Sequence, residues 1–106
     1  MKVVAVVGDL MLYSRIESAA RVAGAELARV DSPSDIPADA ELVLVDWSAR
    51  DRAWADVLRA LTSPRVILFG PHTDLEAHAA ARAAGLGPMW ARSRLMLQLS
   101  RLMGVR

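Results

Sequence analysis

Two aspartates, Asp9 and Asp46, each follow directly on an apolar run, and they are the residues of this sequence best suited to chemistry. The run Val3–Val7 leads into Gly8-Asp9, and the run Leu42–Val45 leads into Asp46. A strand buried on both faces has a continuous apolar sequence, so both runs are typical of central strands in a parallel sheet. Carboxylates just beyond the carboxyl ends of such strands lie where open α/β sheets bind ligands. If the two strands are neighbours, the aspartates share one small acidic pocket.

The ligand that suits two such carboxylates is a hard cation. Mg²⁺ is usually held through one or two carboxylates and keeps several of its waters. Asp9 and Asp46 are the predicted ligands, with a backbone carbonyl near Ser48 as a third. The alternative is that each aspartate caps the helix or turn that follows it. Spacing alone leaves both interpretations open.

The elements that must position these aspartates alternate between strand-like and helix-like segments. Such βα alternation predicts one α/β domain over residues 1–106, a parallel sheet with helices on both faces. Pro37 limits the segment after the second strand to about one helical turn. The predicted strands are Val3–Val7, Glu26–Val30, Glu41–Asp46, Arg65–Phe69 and Pro88–Ala91.

The last helix and the strand before it are the predicted partner surface. The helix carries Leu95, Leu99 and Leu102 on one face, and Met96 and Met103 add a second apolar stripe. Such a stripe is either additional core or a face that docks a partner or a second copy. Trp90 in the preceding strand belongs to the same surface, because tryptophan is enriched at interface hot spots.

The composition of the chain excludes several classes of function. The 106 residues contain no cysteine, which excludes disulfides, thiolate catalysis and cysteine metal sites. No apolar stretch approaches the roughly 18 residues of a membrane-spanning helix, and the start lacks a secretory profile, so we expect a cytoplasmic protein. The net charge of +1 argues against nucleic acid as a partner. The charge is uneven, however, because no acid follows Glu76 while four arginines do so near the end, namely Arg92, Arg94, Arg101 and Arg106.

Three segments of this chain, in order and together spanning nearly all of it, resemble the receiver domains of bacterial response regulators. They are Val6-Val7-Gly8-Asp9, Leu44-Val45-Asp46-Trp47-Ser48, and Ala83-Ala84-Gly85 followed by Met89-Trp90-Ala91-Arg92-Ser93. The resemblance implies a flavodoxin-like, doubly wound, three-layer fold with a five-stranded parallel sheet in the order 2-1-3-4-5 and five flanking helices. It also implies a signalling module rather than an enzyme.

The resemblance gives roles to individual residues. Asp46 takes the position that accepts a phosphoryl group from a histidine kinase or a small phosphodonor. Asp9 matches the second member of the acidic pair that holds Mg²⁺, while Gly8 stands in place of the first. Arg92 stands where the family has a lysine that pairs with the phosphorylated aspartate.

Two further positions depart from the family pattern. Gly70 stands where a threonine or serine normally binds the phosphoryl group, and Met89 stands where the family has an aromatic switch residue. Both moving parts of the usual switch are therefore changed. The resulting hypothesis is a stand-alone, atypical receiver in which phosphorylation of Asp46 is weak, altered or absent. Such a module would act by binding a protein, either a kinase, a downstream effector or a second copy of itself.

Two alternatives remain open. One is a working phosphoacceptor receiver in a two-component phosphorelay. The other is a small flavodoxin-like ligand-binding domain or enzyme subunit, which needs a pocket lined by the loops Gly8–Leu10 and Gly70–Thr73.

Overall fold

The computed structural model describes residues 1–104 and contains one five-stranded, wholly parallel sheet. The strands lie in the order β2-β1-β3-β4-β5, which confirms the predicted flavodoxin-like topology. β5 is shorter than predicted and pairs only with the last two residues of β4. The strands are β1 (Lys2–Val6), β2 (Glu26–Val30), β3 (Leu42–Asp46), β4 (Arg65–Gly70) and β5 (Trp90–Ala91).

The described part of the chain also contains four α-helices and two 3₁₀ turns, all between strands except the last helix, which follows β5. The resemblance implies five helices, but the turn Pro33–Asp35 replaces the second. Pro37 explains the difference, because the residue before a proline is forced into an extended conformation and Ile36 has ψ 123°. None of the helices within residues 1–104 is long and apolar enough to cross a bilayer. The helices are α1 (Leu10–Ala23), α2 (Trp54–Arg59), α3 (Leu75–Ala83) and α4 (Arg92–Leu102), and the second 3₁₀ turn is Trp47–Ala49.

The sheet separates two apolar cores. α1 and α4 cover one face, where they pack on the alternate strand residues that include Val3 and Leu44. α2 and α3 cover the other face, where they pack on residues that include Val4 and Val45. Every residue of β3 is buried, which is why its sequence lacks a polar alternation. Because β1, β3 and β4 are parallel neighbours, their carboxyl ends meet at one rim of the packed sheet.

Candidate functional site

Asp46 is the last residue of β3, and it is the only buried polar or charged side chain within residues 1–104, with 5% of its surface exposed. Its Oδ1 accepts hydrogen bonds from the backbone N–H of Ser48 at 3.2 Å and from the Ser48 hydroxyl at 2.6 Å. The carboxylate thus caps the 3₁₀ turn that follows β3, as the capping interpretation predicted. One of its two oxygens is already satisfied by the chain itself.

Arg92 supplies the positive charge beside the other oxygen of Asp46. It is the first residue of α4, directly after β5, and its Nη2 lies 3.6 Å from Asp46 Oδ2. At that separation the two charged groups form an ion pair, but they are too far apart for a hydrogen bond. The Arg92 side chain is 40% exposed, yet its Nε is buried and has no hydrogen-bond partner in the described part of the chain. The guanidinium is therefore held against Asp46 by its position in the fold more than by hydrogen bonds.

Asp9 lies at the same rim, where its side chain caps the start of α1. Its Oδ1 accepts the backbone N–H groups of Met11 at 3.0 Å and Leu12 at 3.2 Å, so Asp9 is the N-cap of that helix. It also lines a cleft of about 260 Å³ together with Arg92. Arg92 therefore pairs with Asp46 and shares this cleft with Asp9, while Asp46 itself does not line the cleft. The ligand-binding alternative requires a pocket lined by both loops, Gly8–Leu10 and Gly70–Thr73. No residue of Gly70–Thr73 lines this cleft, so the cleft is not that pocket.

The donor set fits Mg²⁺ only in part. Asp9 and Asp46 supply the one or two carboxylates that this ion uses in proteins, and each keeps one oxygen that no backbone N–H occupies. The free oxygen of Asp46 already faces the Arg92 guanidinium, and the Ser48 hydroxyl donates to Asp46. Among residues 1–104, no group of three or more histidine, aspartate or glutamate side chains is arranged to hold a metal. A bound cation would have to compete with Arg92.

Gly70 ends β4 beside Ser48, and a methionine fills the space next to it. A Cβ placed on Gly70 would lie 3.0 Å from the Sδ of Met89 and 3.9 Å from the Cβ of Ser48. Met89 is 4% exposed and belongs to the core that α2 and α3 cover. An apolar thioether, which cannot donate a hydrogen bond, therefore fills the space where the resemblance implies a hydroxyl.

The predicted partner surface is only partly a surface. Trp90 and Met96 are half-buried and pack against the core. Met103 is 4% exposed and lies within that core, so the prediction that it faces a partner is wrong. Its position four residues after the buried Leu99 explains the error, because such residues share one helix face. Sequence analysis missed Leu97, which is 83% exposed and lies two residues from the buried leucines on either side.

The strand order and the helices on both faces of the sheet define a flavodoxin-like α/β fold. A response regulator receiver protein from Burkholderia phymatum superposes on this chain with a TM-score of 0.69 at 20% identity, over 99% of this chain and 96% of that one. A response regulator receiver domain protein from Clostridium thermocellum gives a TM-score of 0.65 at 15% identity, over 96% and 93%. No protein-family model and no curated protein matches the sequence. The resemblance to receiver domains is confirmed for the fold.

Proposed function

We propose that this chain is a receiver-like signalling module that acts by binding a protein, and that phosphorylation of Asp46 is weak, altered or absent. The observation that carries the proposal is that both carboxylate oxygens of Asp46 already have partners within the chain. Its Oδ1 accepts two hydrogen bonds from Ser48, and its Oδ2 faces Arg92 at 3.6 Å. Asp46 is 5% exposed and both of its oxygens are engaged within the chain, so an incoming phosphodonor would have to displace one of these contacts.

The residues at the two positions of the family's switch, Gly70 and Met89, support the same proposal. In the family, a hydroxyl at the end of β4 binds the phosphoryl group and pulls its loop toward the site. Here Gly70 has no side-chain donor, and the buried Met89 side chain packs into the adjoining space. Even a phosphorylated Asp46 would lack the contact through which the strand normally moves. Binding of a partner would then depend on a surface that does not change with phosphorylation.

Mg²⁺, when bound, would neutralise charge on the carboxylates and on a transferring phosphoryl group. The residues that would hold it are Asp9 and Asp46, with Ser48 beside them. Because Gly8 replaces one acid and Arg92 competes for Asp46, we propose that Mg²⁺ binds only weakly at this site.

A phosphodonor experiment tests the proposal. The protein is incubated with acetyl phosphate and Mg²⁺, and the fraction carrying one added phosphoryl group is measured by intact mass spectrometry. We expect that fraction to stay near the level of an Asp46→Asn control, because Asp46 is buried and paired. Stoichiometric phosphorylation that the Asp46→Asn variant abolishes would establish a working phosphoacceptor and overturn the proposal.

A further inference from the structure

A second cleft, of about 340 Å³, lies away from the aspartates, between α4 and the outer edge of the sheet. We call it the arginine cleft, because three of its six lining side chains are arginines. It is lined by Arg65, Trp90, Arg94, Gln98, Arg101 and Leu102.

The fold explains why these residues converge. Arg94, Gln98 and Arg101 are spaced at i, i+4 and i+7, so they lie along one face of α4. Arg65 joins them from the start of β4. Because β5 pairs only with the last two residues of β4, no paired strand separates Arg65 from the last turn of α4.

The three arginines carry charge that the described part of the chain does not neutralise. Five ion pairs form within residues 1–104, and none of them includes Arg65, Arg94 or Arg101. The sequence also has no acid after Glu76. Three like charges around one cleft repel one another in the free protein, and an anionic ligand would relieve that repulsion.

One of these arginines is held in place in advance. The guanidinium carbon of Arg94 lies 4.0 Å from the centre of the Trp90 ring, a cation–π contact. Stacking uses the flat face of the guanidinium and leaves its N–H groups, which lie in its plane, available to a carboxylate. Ordering the side chain before a ligand arrives lowers the entropy that binding must lose.

We propose that the arginine cleft binds an acidic segment of a partner protein, with carboxylates on the arginines and an apolar side chain against Trp90 and Leu102. Both of those residues are half-buried and pack on the core, so they form a firm apolar floor. The inference rests on the proposed function, since it names the chemistry of the protein that the module binds.

An acidic peptide fits the cleft better than a single-stranded nucleic acid does. Proteins bind single-stranded nucleic acids largely through aromatic rings on which the bases stack. Arg94 already covers one face of the Trp90 ring, and the side chain is half-buried against the core. A base would have to displace Arg94 to stack on that face, whereas a carboxylate can bind the Arg94 N–H groups with the cation–π contact in place.

The experiment uses a short synthetic peptide of glutamates around a central leucine, titrated into ¹⁵N-labelled protein at about 50 mM salt, where charge pairing is only moderately screened. The indole N–H of Trp90 is the site-specific reporter, since the other two tryptophans, Trp47 and Trp54, are buried. We expect saturable shifts at Trp90 and along α4, and binding about tenfold weaker in the Arg94→Glu/Arg101→Glu variant.

Matched controls distinguish binding at the arginine cleft from nonspecific attraction to the protein's net charge. The Arg52→Glu/Arg82→Glu variant has the same net charge and changes two exposed arginines outside the cleft, so its affinity should stay within about twofold of wild type. A glutamine version of the peptide should not bind. Thermal melting of both variants checks that they fold.

Three results would overturn the inference: no saturable binding to wild type, equal weakening by the two double variants, or tighter binding of oligothymidylate than of the acidic peptide. These outcomes are separate from the acetyl phosphate experiment. Failure of the peptide to bind, with Asp46 still unphosphorylated, removes only the acidic partner. Full phosphorylation of Asp46, with the peptide still bound, removes only the proposed loss of phosphotransfer.

Discussion

Replacing Trp47 with alanine is expected to lower the free energy of unfolding by about 3–5 kcal/mol. Trp47 follows Asp46 directly, is 2% exposed, and belongs to the core that α2 and α3 cover. Its indole N–H donates to the carbonyl oxygen of Ala77 in α3 at 3.0 Å. The substitution would leave a large cavity and release the turn that holds Asp46. A loss of this size is a large part of the roughly 5–15 kcal/mol that stabilises a typical domain.

Urea denaturation followed by circular dichroism measures this effect. Trp47→Phe keeps most of the buried ring but removes the donor to Ala77, so it should cost about 1–2 kcal/mol. Trp90→Ala is the comparison at a half-buried tryptophan and should cost less than Trp47→Ala. A loss below about 1 kcal/mol for Trp47→Ala would contradict the packing described here.

Introducing a carboxylate with Gly8→Asp is expected to tighten Mg²⁺ binding about tenfold or more. Gly8 stands where the resemblance implies the first acid of the metal-binding pair. The position accepts a side chain, because no atom lies within 4 Å of a Cβ built there and its backbone is not left-handed. An added carboxylate next to Asp9 would give Mg²⁺ a site that competes better with the Arg92 guanidinium.

Isothermal titration with MgCl₂ measures the change. Gly8→Asn is the matched control, since it has nearly the same shape and lacks the charge, and its affinity should stay close to that of wild type. Equal Mg²⁺ affinity in wild type and Gly8→Asp would show that the rim does not form a shared carboxylate site, against the geometry proposed for Asp9 and Asp46.

Much of the fold follows from patterns that the sequence displays openly. The unbroken apolar run of β3 predicted a strand buried on both faces, and all of its residues are buried. Pro37 predicted that the segment after β2 would form no more than a turn, and a 3₁₀ turn is found there. The pairing of Asp46 with Arg92 was implied by the resemblance, and the structure places the two charges 3.6 Å apart.

The parts that sequence reasoning missed depend on contacts between distant segments. Nothing local indicates that Met89 packs beside Gly70, because the two meet only when β5 aligns with β4. The arginine cleft likewise requires Arg65 to meet the last turn of α4, far along the chain. Met103 is different, since its spacing from Leu99 already indicated a buried position, and a sequence analysis could have placed it correctly. Arg106, the last of the predicted C-terminal arginines, lies outside the described residues.

The central claim is that the Asp46 site does not operate the usual receiver switch, and beryllofluoride tests it most directly. This phosphoryl mimic is added with Mg²⁺ to ¹⁵N-labelled protein, and the backbone amide peaks around Asp46, Gly70 and Arg92 are followed by NMR. We predict that these peaks keep their positions, because Asp46 is already paired and Gly70 has no side-chain donor. Saturable shifts at all three sites that extend into β5 would contradict the account and identify a working phosphoacceptor.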